Sequence, residues 1–511
     1  MRSSSFVATL AGALLALALF VAGNVAWGQA SEQLPDIGTP ANESLTPEDE
    51  FRIGLMIVKG LRDAGQIEED PEVTEYIETV GARLASQAHD GSQHFQFFVV
   101  KDPRLNAFAL PGGFIGVNAG LLLATANESE LAGVLAHEIA HVTQRHIARR
   151  LMASKRTNIV TTAALLAAII LGATTGASPD VMQGAIAAAQ GISAQQQINF
   201  TRSNEYEADR IGIGTLAAAG FDPNGVPSFF ETMGRQAGLA GSSVPEFLQT
   251  HPLSGSRIAE SRDRARQMRD VKVEPETLSY RLARERLRVL SAPQGTNASA
   301  WYSNLVSTIR KQDESHDYGR ALSLMAADAP AEAVPILMRL TQKYPSVMQY
   351  RSALGQAQMQ AGQQRESLQT FARALELFPR NVPVTVRYAE SLLRAGQARR
   401  AHEILLDLFN NVPPTPNQAR FIALAANTAG DVADAYSYMA EYHILSGDLV
   451  LAINQLQLAL AVPQISDVQR ARYEARLAEV REYVPKNRLP DEVRRERTGQ
   501  QRPGTGTQRT R

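Results

Sequence analysis

A repeat of 34 residues in the C-terminal part of this 511-residue chain restricts its fold more than any other sequence feature. Small, large apolar, glycine and proline positions all recur at this spacing: Ala333, Ser367 and Ala401; Leu337, Phe371 and Leu405; Ala321, Gly355 and Ala389; Gly362, Gly396 and Gly430; Pro345, Pro379 and Pro413. Glycine and proline at fixed places in a helix-forming sequence mark turns between helices. Each repeat is therefore a helix pair that buries its apolar face by stacking on its neighbours.

The 34-residue period is that of tetratricopeptide repeats. We predict an all-α tetratricopeptide solenoid over residues 317–485, with three well-matched repeats and a looser fourth from about 416 to 463. Gly447 falls 17 residues after Gly430, half a repeat out of step. The concave face of such a solenoid binds peptides or partner proteins, although the array could instead be a structural cap for the N-terminal domain.

His137, Glu138 and His141 form a His-Glu-x-x-His sequence N-terminal to the repeats. On a helix, the two histidines lie one turn apart on one face, where both imidazoles can hold a single Zn²⁺. Glu138 lies near the same metal and can take a proton from water held there. Asn127, with Glu130 three residues later, resembles a capping box and predicts where this helix starts.

The same three residues could arise by chance on a solvated helix face. The flanking residues Val134, Leu135, Ile139 and Ala140 are apolar, which indicates a largely buried helix and favours the zinc site. The chain contains no cysteine, so thiolate ligands and a cysteine nucleophile are excluded. Metal ligands are thereby restricted to His, Asp and Glu.

Glu205 and Asp209 lie one helical turn apart in a second acidic stretch. A tetrahedral zinc site with two histidines needs a third protein ligand and leaves one position for water. We predict Glu205 as this ligand, and Asp209 as the group behind the site that holds a histidine N–H or a neighbouring basic residue. Taken alone, the acidic stretch would be interpreted as a solvated helix start. Its pairing with the His-Glu-x-x-His helix favours the metal site.

His251 precedes Pro252 in a Gly/Ser/Pro-rich segment at residues 237–256, which we predict to be a loop. The proline restricts the backbone of the residue before it. A single loop histidine is more often structural or exposed. Near a zinc site, however, a mobile loop could supply His251 as a reversible fourth ligand or as a hydrogen-bond donor to the oxyanion.

The segment before the zinc helix changes from helical to strand periodicity. Helix starts at Thr46 and Asp70 are followed by a strand at 95–100 and by two short strands around a turn at 111–113. We therefore expect residues 31–285 to form an α+β zincin-type metalloprotease domain, mostly helical with a small sheet. A strand of this sheet could pair with an extended peptide substrate, or the hairpin could be structural only.

Residues 1–30 read as a secretory signal peptide. Arg2 precedes an apolar run at 6–22, and the small residues Gly28 and Ala30 are typical of a signal-peptidase site. The alternative is a retained membrane anchor, because the apolar run is long for a signal peptide. The absence of cysteine excludes a lipoprotein anchor and fits a compartment outside the cytoplasm.

Three further segments carry weaker predictions. The apolar run at 159–177 follows basic residues and is long enough to span a membrane. Its threonines and alanines favour a helical hairpin over the site instead. Shallow contact with a membrane is the alternative. Residues 286–316 are predicted to be a helical connector, and the basic tail at 486–511 to be disordered. The net charge of −1 gives no indication of a nucleic-acid partner.

Together these motifs resemble the zinc metallopeptidase family that contains the HtpX-type heat-shock proteases and the CAAX prenyl proteases. The His-Glu-x-x-His sequence followed by Arg145 and His146 is typical of that family, as are the stretches at 204–209 and 250–252. The order of signal peptide, protease domain and repeats is similar to that of its secreted, tetratricopeptide-bearing branch, over nearly the whole mature chain. Gln144 and Ile147 stand where a metzincin needs Gly and a third His, which excludes that class.

The resemblance implies a metalloendopeptidase with one Zn²⁺ per chain, held by His137, His141 and Glu205, with Glu138 as general base. It implies that His251 belongs to a loop that can occupy the open zinc position and keep the enzyme latent. The implied location is the periplasm. The implied substrates are unfolded, misfolded or stalled outer-membrane proteins, and the implied partner of the repeats is the β-barrel assembly machinery.

A second hypothesis comes from the binding class of proteins. The chain could act mainly as a chaperone or adaptor through its repeats, with a latent or structural zinc site. Loss of the Glu138 carboxylate separates the two hypotheses, because only the peptidase depends on it.

Overall fold

The computed structural model describes residues 46–88, 94–153, 202–239, 246–268, 270–309 and 312–484. The predicted signal peptide at 1–30, the apolar run at 159–177 and the tail at 486–511 lie outside these ranges and stay predictions. In these ranges, no helix has the length and the hydropathy of a membrane span.

Two capped helices open the described chain, at the starts that the sequence predicts. Helix α1 (Pro47–Asp63) has Thr46 as its N-cap and a proline at its first position. Helix α2 (Pro71–Ala85) has Asp70 as its N-cap, whose Oδ1 accepts hydrogen bonds from two backbone N–H groups of the first turn. Since these caps satisfy donors that a helix leaves unpaired, they fix where both helices begin.

A small mixed sheet lies against these helices. Its strands are β1 (Ile67–Glu68), β2 (Gln96–Val100), β3 (Ala107–Ala109) and β4 (Phe114–Asn118). Their order is β1-β2-β4-β3; β2 and β4 run parallel, and the other two pairs are antiparallel. The predicted strand and hairpin are thus both present, and β3 forms an edge of the sheet.

Within the described ranges up to residue 268, seven helices follow the sheet: α3 (Ala119–Ala124), α4 (Glu128–Thr143), α5 (His146–Ala153), α6 (Arg202–Ala218), α7 (Gly225–Leu239), α8 (Glu246–Thr250) and α9 (Gly255–Gln267). Helix α4 is the predicted zinc helix. Asn127 caps it by accepting from Glu130 N, and the Glu130 carboxylate accepts from Ala126 N rather than from the cap residue itself. Almost every residue of α4 up to His141 is buried, as the apolar flanks indicate.

Helices α10 (Leu278–Leu290) and α11 (Ala298–Ser307) occupy the region of the predicted connector, and α10 runs through the predicted boundary at 285. Ten helices then form five pairs: α12 (Glu314–Ala326) and α13 (Pro330–Lys343); α14 (Met348–Gln360) and α15 (Gln364–Leu377); α16 (Val382–Arg394) and α17 (Ala398–Phe409); α18 (Pro416–Ala429) and α19 (Val432–Leu445); α20 (Leu449–Ala461) and α21 (Asp467–Tyr483).

In the first four pairs, corresponding helices begin 34 residues apart. Their first helices begin at 314, 348, 382 and 416, and their second helices at 330, 364, 398 and 432. The fourth repeat ends at 445, before the predicted 463, and a fifth pair follows. Gly430 turns the chain within a pair, whereas Gly447 turns it between two pairs, which explains the half-repeat offset.

The repeats pack directly on the protease domain through a buried ionic network. Asp70 Oδ1 accepts from Arg286 Nε at 2.7 Å, and Asp70 Oδ2 accepts from a guanidinium nitrogen of Arg387 at 2.7 Å. Glu72 contacts both arginines and accepts a hydrogen bond from Ser352 Oγ at 2.7 Å. The start of α2 is therefore held by α10, α14 and α16.

Candidate metal centre

Helices α4 and α6 cross at Gly212, which positions the two halves of the site. A Cβ atom at Gly212 would lie 3.1 Å from the backbone N of His137 and 3.2 Å from the carbonyl carbon of Ala136. The absent side chain allows the two helix backbones to approach closely. Helix α6 therefore brings Glu205 and Asp209 to the histidine-bearing face of α4.

Four side chains converge at this crossing: His137, His141, Glu205 and His251, all buried. The Nε2 atoms of His137 and His141 lie 3.0 Å apart. Glu205 Oε2 lies 3.5 Å from His137 Nε2, and Oε1 lies 3.6 Å from His141 Nε2. Around a tetrahedral zinc with bonds of about 2.05 Å, ligand atoms are about 3.3 Å apart. The observed spacing fits such an ion.

Buried carboxylate oxygens at the site also point to a cation. Both oxygens of Glu138, and Oε1 of Glu205, are buried and make no hydrogen bond within the described residues. Burying a charged oxygen without a partner costs several kcal/mol unless a positive charge lies close by. The donor set of two imidazoles and a carboxylate is one that zinc accepts. The residues present therefore fit a zinc ion.

The electrostatics of the cluster agree with this interpretation. Burial by itself would lower the pKa of His137, but the carboxylates of Asp209 and Glu205 outweigh it and raise the pKa to about 10. Burial and the neighbouring His137 lower the pKa of His141 well below its usual value. For Glu205, the effect of burial is overcome by His251 and His137, which hold its pKa well below the ordinary range. The site thus attracts one positive charge, which a metal ion can supply in place of a proton.

Asp209, which the sequence predicts to hold a histidine N–H or a neighbouring basic residue, lies beside both His137 and Arg257. The Nδ1 atom of His137 lies 3.0 Å from Asp209 Oδ1. Asp209 accepts two hydrogen bonds from Arg257, at 2.7 and 2.8 Å. The same guanidinium lies 2.9 Å from Glu205 Oε2 and donates to the carbonyl oxygen of Pro252. Arg257 therefore ties α6 to the segment that carries His251, a role that the sequence analysis missed.

His141 is oriented by a different group. Its Nδ1 lies 2.7 Å from Nδ1 of His146, and His146 Nε2 lies 3.1 Å from Glu207 Oε2. Arg149 donates to the same glutamate oxygen at 2.9 Å. In the sequence, His146 is visible only as part of a typical family motif, and Glu207 is not distinguished from the other residues of the acidic stretch at 204–209.

His251 lies at the fourth corner of the cluster. Its Nδ1 is 3.3 Å from His137 Nε2 and 3.2 Å from Glu205 Oε2, while its Nε2 is 3.5 Å from Glu138 Oε1. The residue directly follows helix α8, which lies inside the segment predicted to be a loop. The ring of Phe247 stacks on the imidazole at 4.7 Å, and the backbone N of Phe247 donates to Leu105 O next to edge strand β3.

The comparisons with known proteins agree with the order of the two domains. Residues 71–265 match peptidase family M48, and residues 358–427 match the tetratricopeptide repeat. The chain is 36% identical to a putative beta-barrel assembly-enhancing protease of Vibrio cholerae, over 87% of this chain and 91% of that protein. It is 33% identical to the beta-barrel assembly-enhancing protease of Escherichia coli, over 89% of this chain and 93% of the relative. A mitochondrial metalloendopeptidase OMA1 of Arabidopsis thaliana is 32% identical over 34% of this chain and 33% of that protein.

The fold and the site define a metalloendopeptidase whose mostly helical catalytic domain, with its small sheet, precedes a tetratricopeptide solenoid. The chain belongs to peptidase family M48, and it is similar over nearly its whole length to the beta-barrel assembly-enhancing proteases. The family resemblance, the fold class and the enzyme class predicted from the sequence are thereby confirmed. The roles of Glu138, His251, Asp209 and the three ligands stay predictions.

Proposed function

We propose that this chain is a zinc-dependent endopeptidase of the periplasm that degrades misfolded or stalled outer-membrane proteins. The observation that carries the proposal is the buried group of His137, His141 and Glu205, with the carboxylate of Glu138 beside it, whose buried oxygens accept no hydrogen bond within the described residues. Bound Zn²⁺ would activate water for attack and polarise the scissile carbonyl.

The side chains of this chain perform the remaining work. Glu138 takes a proton from the attacking water and transfers it to the nitrogen of the leaving amine. Asp209, held by Arg257, keeps the hydrogen of His137 on Nδ1, so Nε2 keeps its lone pair for the metal. The imidazole of His251 lies directly beside the carboxylate of Glu138. We therefore propose that the resting enzyme is latent.

The proposed substrates and partner rest on the relatives, which are named for enhancing β-barrel assembly. We propose that the solenoid docks on the β-barrel assembly machinery and also assists assembly as a chaperone. The signal-peptide pattern at 1–30 supports a location outside the cytoplasm. Membrane contact through 159–177 stays part of the proposal, since that run lies outside the described residues.

The test of the peptidase activity is the variant Glu138→Gln. We expect the rate of cleavage of an unfolded outer-membrane protein to fall by about 10²–10⁴-fold. Zinc content, measured by elemental analysis, should stay at one per chain because the three ligands are intact. Glu376→Gln, an exposed glutamate on the repeats, is the matched control and should cleave at the wild-type rate. Cleavage by Glu138→Gln at the wild-type rate would refute the proposal.

A second candidate function is supported by the position of His251. Because its imidazole occupies the fourth corner, the chain could act mainly as a repeat-based chaperone or adaptor with a latent or structural zinc site. In that case Glu138→Gln would complement a deletion strain fully, whereas removal of the repeats would not.

A further inference from the structure

We propose that His146, anchored by Glu207, is a positioning residue that fixes the hydrogen of His141 on Nδ1 and so presents the Nε2 lone pair to the metal. This inference rests on the proposed zinc site, in which His141 is a ligand. It assigns a role to two side chains that the peptidase mechanism above does not use.

The contact is short and enclosed. The Nδ1 atoms of His141 and His146 lie 2.7 Å apart, and the side chain of His146 is fully buried. On its other side, His146 Nε2 lies 3.1 Å from Glu207 Oε2. A chain of contacts therefore runs from the carboxylate through one imidazole to the back of a second imidazole, whose front faces the cluster.

The chemistry of the carboxylate decides where the hydrogens lie. An ionised Glu207 only accepts hydrogen bonds, so the hydrogen of a neutral His146 is on Nε2. Its Nδ1 then has a lone pair and accepts from Nδ1–H of His141. His141 in turn keeps its lone pair on Nε2, which is the atom that faces His137 and Glu205. The hydrogen bond made by one ring nitrogen thus decides which nitrogen can bind a metal.

The two ligand histidines are oriented by unlike groups. Asp209 contacts His137 directly and places a negative charge 3.0 Å from the ring. His141 instead contacts the neutral imidazole of His146. The carboxylate of Glu207 lies on the far side of that imidazole. The relay through His146 therefore fixes the hydrogen position of His141 while the carboxylate of Glu207 stays one imidazole ring away from it.

The backbone between α4 and α5 supports the same assignment. Arg145 has φ of 50°, a left-handed conformation that costs about 1 kcal/mol for a residue with a side chain. This residue turns the chain so that His146, the first residue of α5, lies beneath His141. An unfavourable conformation is retained at the position that brings the two imidazoles into contact.

The test uses the full-length protein and two variants of His146. His146→Leu removes the acceptor, whereas Oδ1 of Asn in His146→Asn can accept from His141 at the place of Nδ1. His94→Leu, at an exposed histidine, is the control. The first readout is the ¹⁵N NMR spectrum of the histidine rings in metal-free protein. We expect His141 to be the Nδ1–H tautomer in the wild type and in His146→Asn, and a mixture in His146→Leu.

The second readout is zinc affinity, measured by competition with a chelator. We expect His146→Leu to bind zinc about 10–100-fold more weakly, with most of the affinity restored in His146→Asn. An unchanged tautomer of His141 and an unchanged zinc affinity in His146→Leu would overturn the proposal. An equal loss of zinc affinity in His146→Leu and His146→Asn would overturn it as well. If the wild type bound no zinc, the proposed function would fail, but the tautomer of His141 would still decide the role of His146. Should His146→Leu not fold, Glu207→Leu must shift the tautomer in the same direction, or the proposal fails.

Discussion

His251 is the single residue on which the state of the resting site depends most. Its Nδ1 lies 3.3 Å from Nε2 of His137 and its Nε2 lies 3.5 Å from Oε1 of Glu138, so the imidazole occupies the space between a proposed ligand and the proposed base. We expect His251→Ala to raise the initial rate of cleavage of an unfolded substrate at least about tenfold, a change of about 1.4 kcal/mol in the barrier. The rate is measured with a fluorogenic unfolded protein.

The control for this variant is His94→Ala, which changes an exposed histidine and should leave the rate unchanged. A rate for His251→Ala at or below that of the wild type would contradict latency. It would instead favour a role for His251 as a donor to the oxyanion.

At the scale of residues, the sequence predicts groups that share a helix and misses groups that meet across elements. His137, Glu138 and His141 are recognisable because the helical period alone places them together. Arg257 contacts Asp209, which lies 48 positions away in the sequence. Glu207 contacts His146, which lies 61 positions away. Their partners depend on how α4, α6 and α9 pack, which no local spacing shows.

At the scale of elements, the crossing of α4 and α6 controls the geometry of the metal site. Gly212 faces the backbone of α4, so a Cβ there would push the two helices apart by a few tenths of an ångström. We expect Gly212→Ala to weaken zinc binding about tenfold, because a misplaced ligand loses affinity steeply. The measurement is chelator competition monitored together with thermal unfolding.

Gly214 lies on the same helix and is the matched control. Outside the backbone of its own helix, a Cβ there would meet no atom of the described residues within 4 Å. Gly214→Ala should bind zinc as the wild type does and should stabilise the helix by up to about 1 kcal/mol. Equal zinc affinity in both variants would show that the close approach at Gly212 is not needed.

Helix starts with capping residues, and the strands around the 111–113 turn, were predictable because their signals are local. Helix α8 was not, since the segment at 237–256 is rich in residues typical of loops. The helix depends on tertiary contacts: Phe247 packs against Phe229 at 5.3 Å and against His251. Packing overrides composition in this short segment.

At the scale of the whole molecule, the ionic network between the domains couples their stability. Burial would raise the pKa of Asp70, but Arg286 and Arg387 lower it to about 2, so the carboxylate is charged and paired. We expect Arg387→Met to lower the free energy of unfolding by about 3 kcal/mol, because it leaves buried carboxylates short of a partner. Calorimetry should show the transition moving to lower temperature.

Arg339→Met removes an exposed ion pair with Asp317 and serves as the control, with an expected change within about 0.5 kcal/mol. If Arg387→Met proved as stable as Arg339→Met, the network would not hold the domains together.

A second contact between the domains makes stability depend on pH. Burial, with Glu72 nearby, raises the pKa of Glu75 to about 7 from 4.5, although Asn381 donates to it at 2.8 Å. The folded state therefore keeps a proton that the unfolded state loses, so this glutamate costs stability as pH rises from about 4.5 to 7. We expect Glu75→Gln to stabilise the protein at pH 8 by up to about 3 kcal/mol and to have little effect at pH 4. Denaturant unfolding at both pH values checks this, and equal effects would contradict it.

The order of protease domain and solenoid was predictable because a 34-residue period and a His-Glu-x-x-His helix are visible in the sequence alone. Their contact was not, since Asp70 and Arg387 are 317 positions apart. The first repeat helix begins at Glu314, three residues before the predicted 317. The positions where the helices begin show this boundary, whereas the side chains that recur every 34 residues do not.

We propose that His137, His141 and Glu205 hold one zinc ion and that His251 closes the site. X-ray absorption at the zinc edge counts the ligands of the metal and should be recorded on the full-length wild type and on His251→Ala. We expect one zinc per chain with three imidazoles and one carboxylate in the wild type, and two imidazoles in His251→Ala. A wild type without zinc, or a coordination sphere that stays the same in His251→Ala, would contradict the account.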